Sequence, residues 1–213
     1  MQHTTIINKL NELSYNGFKA AYMHQMEDVN YDTVSFEDRL FQLLDAQDIF
    51  LRNKRIEMAF KLSKIKDKQA AINAIDFNPR RKINKTQIHS LSALNFIHAK
   101  QNIIITGKTG TGKSYIAQAI ANRAIIDGHR AYYVRTPTLL EEIRISRIDG
   151  TYTNLLKKYS RFQLLILDDF GVAPMVEDDA TNLFEIIEDR TEINSTIITS
   201  QLPVSEWYNY LNN

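Results

Sequence analysis

Apolar and polar positions along the chain change period near residue 87, and the change divides the sequence into two expected parts. Before it the apolar residues recur at helical spacing. A first helix is expected to end near Asn16-Gly17, a second to run from about Lys19 to Glu27, and residues 30–33 to form a loop. Ser35 and Asp38 have the spacing of a capping box, with Asp in the place of Glu or Gln, and open a long helix. Its stripe of Leu40, Leu44, Leu51, Met58, Leu62 and Ile65 falls at spacings of three, four and seven. The helix is expected to stop before Asn78-Pro79, where proline disfavours continuation. Beyond residue 87, short apolar runs at 102–106, 131–135, 163–167 and 195–200 alternate with helical stretches. Those stretches are Tyr115–Asp127, a helix opened by Thr136-Pro137, Tyr152–Tyr159, Glu177–Arg190 and a terminal helix at Trp207. Alternation of this kind predicts an α/β fold with a parallel sheet flanked by helices. The expected domains are therefore a small all-helical one over 1–86 and an α/β one over 87–213.

One loop of the second part carries chemistry. Gly107, Lys108, Thr109, Gly110, Thr111, Gly112, Lys113 and Ser114 fit G-x-x-x-x-G-K-[ST], the phosphate-binding P-loop, set between an expected strand and an expected helix. Gly107 and Gly112 permit backbone angles that other residues resist. The amides of Gly110 to Ser114 then turn inward as a nest for phosphate oxygens, at the positive end of the helix that follows. Lys113 is expected to reach the β- and γ-phosphates, the Ser114 hydroxyl to ligate Mg²⁺, and Tyr115 to border the nucleotide.

The apolar run at 164–167 ends in Asp168 and Asp169, the form of a Walker B segment. Both carboxylates are expected at the carboxyl edge of the sheet, beside the P-loop. Asp168 is the candidate Mg²⁺ ligand and Asp169 the candidate base for the attacking water. Gln201, after the last apolar run, is placed to contact the γ-phosphate or that water. Lys113, Asp169 and Gln201 form the expected catalytic set.

Composition narrows the rest. The chain has 213 residues, 44% of them hydrophobic, and no cysteine, which excludes disulfides, zinc–thiolate sites and cysteine catalysis. Its five histidines lack metal-ligand spacing and are expected at the surface or at caps. No apolar run is long enough to span a membrane, and the N-terminus has no secretory pattern, so a cytoplasmic protein without a membrane partner is expected. The net charge of +1 hides an asymmetry: residues 51–100 hold twelve Lys and Arg against three acids. Lys54, Lys61, Lys64 and Lys68 recur at seven, three and four, and Arg80, Arg81, Lys82 and Lys85 cluster after them. This block predicts contact with the backbone of double-stranded DNA, weakly sequence-specific because no base-reading motif accompanies it.

Together these residues resemble the IstB-like transposition helper ATPases of bacterial insertion sequences, within the AAA+ superfamily, whose nearer relatives include DnaC-type helicase loaders. The resemblance runs through residues 10–20, 35–40, 75–80, 107–114 and 164–171, and through 196–203 followed by Trp207. It implies an AAA+ core that uses ATP, ADP and Mg²⁺, self-assembly into a homo-oligomer on DNA, and stimulation of a partner transposase. It gives Gln201 the sensor-1 position. The superfamily continues with a fifth strand, a helical lid and arginines for the γ-phosphate, and no match to these precedes Asn213. The chain is therefore expected to be truncated before the lid, to bind nucleotide and to hydrolyse it weakly, with Arg190 a helix-end residue. The alternative implied by the resemblance is a helicase loader.

Overall fold

The computed structural model describes residues 2–81 and 83–211, with the backbone alone at Gln2, Arg80 and Glu177. Two compact units meet between Met58 and Ala59. The first holds α1 (Gln2–Glu12), α2 (Asn16–Glu27), a 3₁₀ turn at Val29–Thr33 and most of α3 (Phe36–Leu62). The first helix stops earlier than its sequence suggests, because Ser14 takes a left-handed conformation (φ 58°) and turns the chain. Gly17 therefore opens α2 instead of closing α1. Its role is close approach: a Cβ there would stand 2.5 Å from Ala46 O and from the Phe50 Cβ. The Phe18 amide, next to it, donates to Gln47 Oε1 at 3.1 Å. Ser35 caps α3 as its spacing predicts, accepting from the Asp38 amide at 3.1 Å and donating to Asp38 Oδ2 at 2.7 Å.

Two expectations about α3 fail. Its buried positions are Leu43 and Gln47, whereas Leu40, Leu44, Leu51, Met58 and Leu62 of the apolar stripe are 37% to 59% exposed. Contact with α2 through the Gly17 notch selects a different face. The helix also ends at Leu62, some fifteen residues early. The Ser63 hydroxyl donates to Phe60 O at 2.9 Å, and Lys64 turns left-handed (φ 57°). Lys54 and Lys61 lie on α3, but Lys64 and Lys68 lie beyond it, so the four lysines do not share one helical face.

In the second unit, residues 63–84 form an irregular strap with 3₁₀ turns at Ile72–Ala74 and Pro79–Arg81. It leads into α4 (Lys85–Ser92) and α5 (Asn95–His98), two short helices that the hydrophobic period does not single out. The α/β part follows as β1 (Ile103–Thr106), α6 (Lys113–Ile126), β2 (Ala131–Arg135), α7 (Thr136–Ile148), α8 (Tyr152–Ser160), β3 (Leu164–Phe170), α9 (Glu177–Glu188), β4 (Ser195–Ser200) and α10 (Trp207–Leu211). All four strands are parallel, in the order β1-β4-β3-β2. β3 and β4 are buried along almost their whole length, as continuous apolar strands of a helix-covered parallel sheet should be.

Alternation along the strands sorts the two faces. Tyr132 and Val134 of β2 and Leu165 and Leu167 of β3 pack with Leu139, Ile143, Tyr159 and Leu183 from α7, α8 and α9. The intervening residues, Tyr133, Ile166 and Asp168, therefore face the other side, where α6 lies. α6 is buried on most of its circumference through Ala117, Ile120, Ala121 and Ala124. No strand among the described residues pairs with the outer side of β1, where Ile104 is 46% exposed. No described helix is long and apolar enough to cross a membrane.

Candidate functional site

The carboxyl ends of β1, β4 and β3 bring the candidate residues together. β1 runs into the P-loop, and Gly112 closes that loop as the N-cap of α6 with φ 88°. Only glycine takes this conformation readily. A Cβ at Gly112 would also stand 2.7 Å from the Arg81 Nη2. Lys113 Nζ donates to Lys108 O at 3.0 Å, which holds the ammonium across the loop.

β3 carries the two aspartates on an irregularity. Leu167 pairs with Ile198 and Phe170 with Ser200, so Asp168 and Asp169 together oppose Thr199 alone. This is a β-bulge, a device common beside active sites because it re-aims side chains. Asp169 takes the left-handed conformation (φ 60°), which aspartate tolerates better than most residues. Its amide donates to Thr199 Oγ1 at 3.2 Å.

The bulge gives the two carboxylates different surroundings. Asp168 is 2% exposed and accepts three hydroxyls. Ser114 Oγ donates to its Oδ1 at 2.8 Å, Thr199 Oγ1 donates to the same oxygen, and the Tyr133 hydroxyl donates to Oδ2. Burial, followed by the bond to Asp168, pushes the Tyr133 hydroxyl far above its ordinary pKa, so it stays a donor. Asp169 is more open, and Arg135 Nε donates to its Oδ2 at 2.8 Å. Gln201 reaches the P-loop from the end of β4, with Thr109 Oγ1 donating to its Oε1 at 2.7 Å.

Clefts border the loop on two sides. One of about 440 Å³ is lined by Ile83, Ile88 and Leu91 with Gly107, Thr111 and Lys113. A second of about 360 Å³ is lined by Ile75, Asp76, Gly112 and Tyr115. Arg81 borders both, with its Nη2 donating to Thr111 O at 3.2 Å and its Nη1 to Asp76 O at 3.3 Å. Arg81, named from its sequence as a DNA contact, thus sits on the P-loop. Tyr115 turns toward the strap, its hydroxyl accepting from the Ala71 amide at 3.3 Å. Lys85 lies at the start of α4 with its ammonium 5.7 Å from the Phe77 ring centroid. Lys82 lies outside the described residues. No group of three or more His, Cys, Asp or Glu side chains able to hold a metal exists among the described residues. The oxygen pair of Ser114 and Asp168 suits a hard cation that takes its other ligands from phosphate and water, as Mg²⁺ does.

Tyr133, Arg135, Thr199 and Arg81 escape a reading by motif. Only their position carries a signal: Tyr133 and Arg135 lie on the strand beside the one that carries Asp168, and Thr199 lies in the apolar run that precedes Gln201.

Comparison with known proteins places the chain in a family. The model of the IstB-like ATP binding protein family matches residues 8–213. The ATP-binding protein of insertion sequence IS1162 from Pseudomonas fluorescens is 36% identical over 96% of this chain and 87% of its own length. An insertion-sequence ATP-binding protein of Sinorhizobium fredii, y4pL, is 32% identical over 100% of this chain and 86% of its own. Among solved structures, AMPPCP-bound DnaA from Aquifex aeolicus superposes with a TM-score of 0.60 at 19% identity, over 69% of this chain and 46% of that one. The DnaC helicase loader superposes with a TM-score of 0.55 at 22% identity, over 67% of this chain and 86% of that one. At such identities the structural likeness speaks for the fold alone. By the extent of the family match, the chain belongs to the IstB-like ATP binding proteins of insertion sequences.

Proposed function

We propose that this chain is an ATP- and Mg²⁺-dependent helper of transposition, which assembles with copies of itself on double-stranded DNA and stimulates a partner transposase. The observation that carries the nucleotide part is the bond from Ser114 Oγ to Asp168 Oδ1, 2.8 Å long, which joins the P-loop to the Walker B strand. The amides of Gly110 to Ser114 and the ammonium of Lys113 would cradle the phosphates. Ser114 and Asp168 would hold Mg²⁺, which when bound neutralises phosphate charge. Asp169 would orient the attacking water and take its proton, and Gln201, held over the loop by Thr109, would align that water or the γ-phosphate. Asp169 starts ion-paired to Arg135, so the chain would turn over slowly until that pair is released.

The DNA part rests on the basic block of residues 51–100 and on the relatives' place in insertion sequences. The test is binding to a random-sequence duplex with ATP, ADP or no nucleotide, across a salt series. Tighter binding with ATP and a steep fall with salt are expected. Indifference to DNA in every nucleotide state would overturn the transposition reading. The likeness to the DnaC fold keeps one alternative, a helicase loader, which capture of a replicative helicase would favour.

A further inference from the structure

The strap that follows α3 is tied to the candidate site by side chains that serve no other visible purpose. Gln118, on the second turn of α6 and 7% exposed, accepts from two strap amides with one oxygen: Lys66 N at 3.1 Å and Asp67 N at 2.9 Å. Its Nε2 donates to Ser114 O at 3.2 Å. One turn on, Asn122 Nδ2 donates to Asp67 O at 2.9 Å and to Ala70 O at 2.8 Å. The strap's first residue, Ser63, is fully buried, and its carbonyl accepts from the Tyr133 amide at 2.7 Å on the outer edge of β2. The hydroxyl of the same Tyr133 donates to Asp168.

These bonds close a ring. It runs from Ser63 through Tyr133 to Asp168, across to Ser114, and back through Gln118 to Lys66 and Asp67. Two of its members are the oxygens that would hold the cation. Three belong to the strap. Hydrogen bonds in series, shielded from water, stiffen one another, so order imposed on one part of such a ring is felt in the rest.

We propose that the strap of residues 63–71 reads whether the phosphate and cation site is filled, with Gln118 and Tyr133 as the positioning residues that carry the signal. The proposal rests on the ATP and Mg²⁺ reading above. A ligand that fixes Ser114 and Asp168 makes opening of the strap more costly. By reciprocity, a strap pulled open weakens ligand binding by the same factor.

The strap can be watched without reference to hydrolysis. Lys64, Lys66 and Lys68 are exposed cleavage points for trypsin, and the Lys66 and Asp67 amides report opening by hydrogen exchange. The full chain is first titrated with a fluorescent ADP, with Mg²⁺ and with EDTA. Exchange over 63–71 and tryptic cutting are then compared without ligand and with saturating ADP and Mg²⁺. The expected result is slowing of both by roughly 5- to 150-fold, the usual range of coupling between sites. Gln118→Glu keeps an acceptor for the strap amides but removes the donor to Ser114 O. It should leave the unliganded strap ordered and abolish the slowing. Tyr133→Phe keeps the aromatic side chain and the amide bond to Ser63 O but removes the bond to Asp168. It should reduce the slowing and weaken the Mg²⁺ dependence of ADP binding. If ADP binds with Mg²⁺ and the strap exchanges at an unchanged rate, or if both variants keep the full slowing, this proposal falls and the nucleotide reading stands. If no nucleotide binds, both fall.

Discussion

Arg135 Nε lies 2.8 Å from Asp169 Oδ2, although the register of the sheet pairs Arg135 with Asp168. The bulge in β3 brings the second aspartate round to this arginine. The bond to Asp169 is the main reason the guanidinium pKa stands above its ordinary value. A carboxylate oxygen held this way is turned to the guanidinium and away from an attacking water until it is released. Arg135→Gln is expected to raise hydrolysis by the chain alone several-fold. Asp169→Asn should lower it by roughly 10²–10⁴, the usual contribution of a general base. Single-turnover phosphate release checks both, and a slower Arg135→Gln would count against restraint by the ion pair.

Arg81 and the lysines of α3 should separate under mutation, though they belong to one basic block. Arg81 touches the P-loop backbone. Arg81→Ala is expected to weaken ADP binding several-fold and leave the salt dependence of DNA binding unchanged. Lys54→Ala and Lys61→Ala should do the reverse, each lowering the slope of log affinity against log salt by about 0.9 for a lost phosphate contact. Paired nucleotide and DNA titrations distinguish the two.

Arg190 is 1% exposed, and burial lowers its pKa to about 10, so it is still charged at neutral pH. Carbonyls take the place of water around it: Tyr159 O at 2.6 Å, Phe162 O at 2.9 Å and Ser195 O at 2.7 Å, with Thr196 Oγ1 at 3.2 Å. It ties the turn after α8 to the start of β4. Arg190→Met would leave several buried acceptors without donors and should destabilise the fold by roughly 3–5 kcal/mol. Urea denaturation measures this, and a loss under 1 kcal/mol would show that the carbonyls find other partners.

His129 is buried at the C-terminal cap of α6, one of the two places expected for the histidines, and its amide donates to Ala124 O at 2.9 Å. Desolvation, then the neighbouring His98 at 5.3 Å between ring centroids, lowers its pKa despite Asp127. The unfolded chain therefore takes up a proton near its ordinary pKa of about 6.5, before the folded one does. Stability from this group is full above that pH and is lost as the pH falls toward the lowered value. Melting temperature should drop between pH 7 and 5.5, and the drop should shrink in His129→Gln.

The parts of the fold that follow a local rule are legible in the chain. The four strands, the P-loop and the helix behind it lie where period and motif place them, because burial in a parallel sheet demands unbroken apolar runs such as Leu164–Leu167. Asp168 and Gln201 are readable for the same reason: they end such runs. Residues 63–77 mislead, since Lys, Ala and Gln favour helix. Gln118 and Asn122, more than forty residues away, supply the partners that hold this segment out of a helix. The exposed face of α3 misleads in the opposite sense, with a helical period that does not correspond to burial in this unit.

The bulge at Asp168 and Asp169 also counts residues. β3 uses one more residue than its neighbour before Phe170 meets Ser200. Phe170 stacks at 4.5 Å from Trp207 and 5.4 Å from Tyr210, whose hydroxyl donates to Ala173 O. Losing a single residue here would remove a carboxylate and the bulge with it, yet regular alternation from Leu167 would still leave the phenylalanine opposite Ser200 and on the face of the aromatic seat of α10. The extra residue is thus one that packing does not require, and what it adds to the strand is the second carboxylate.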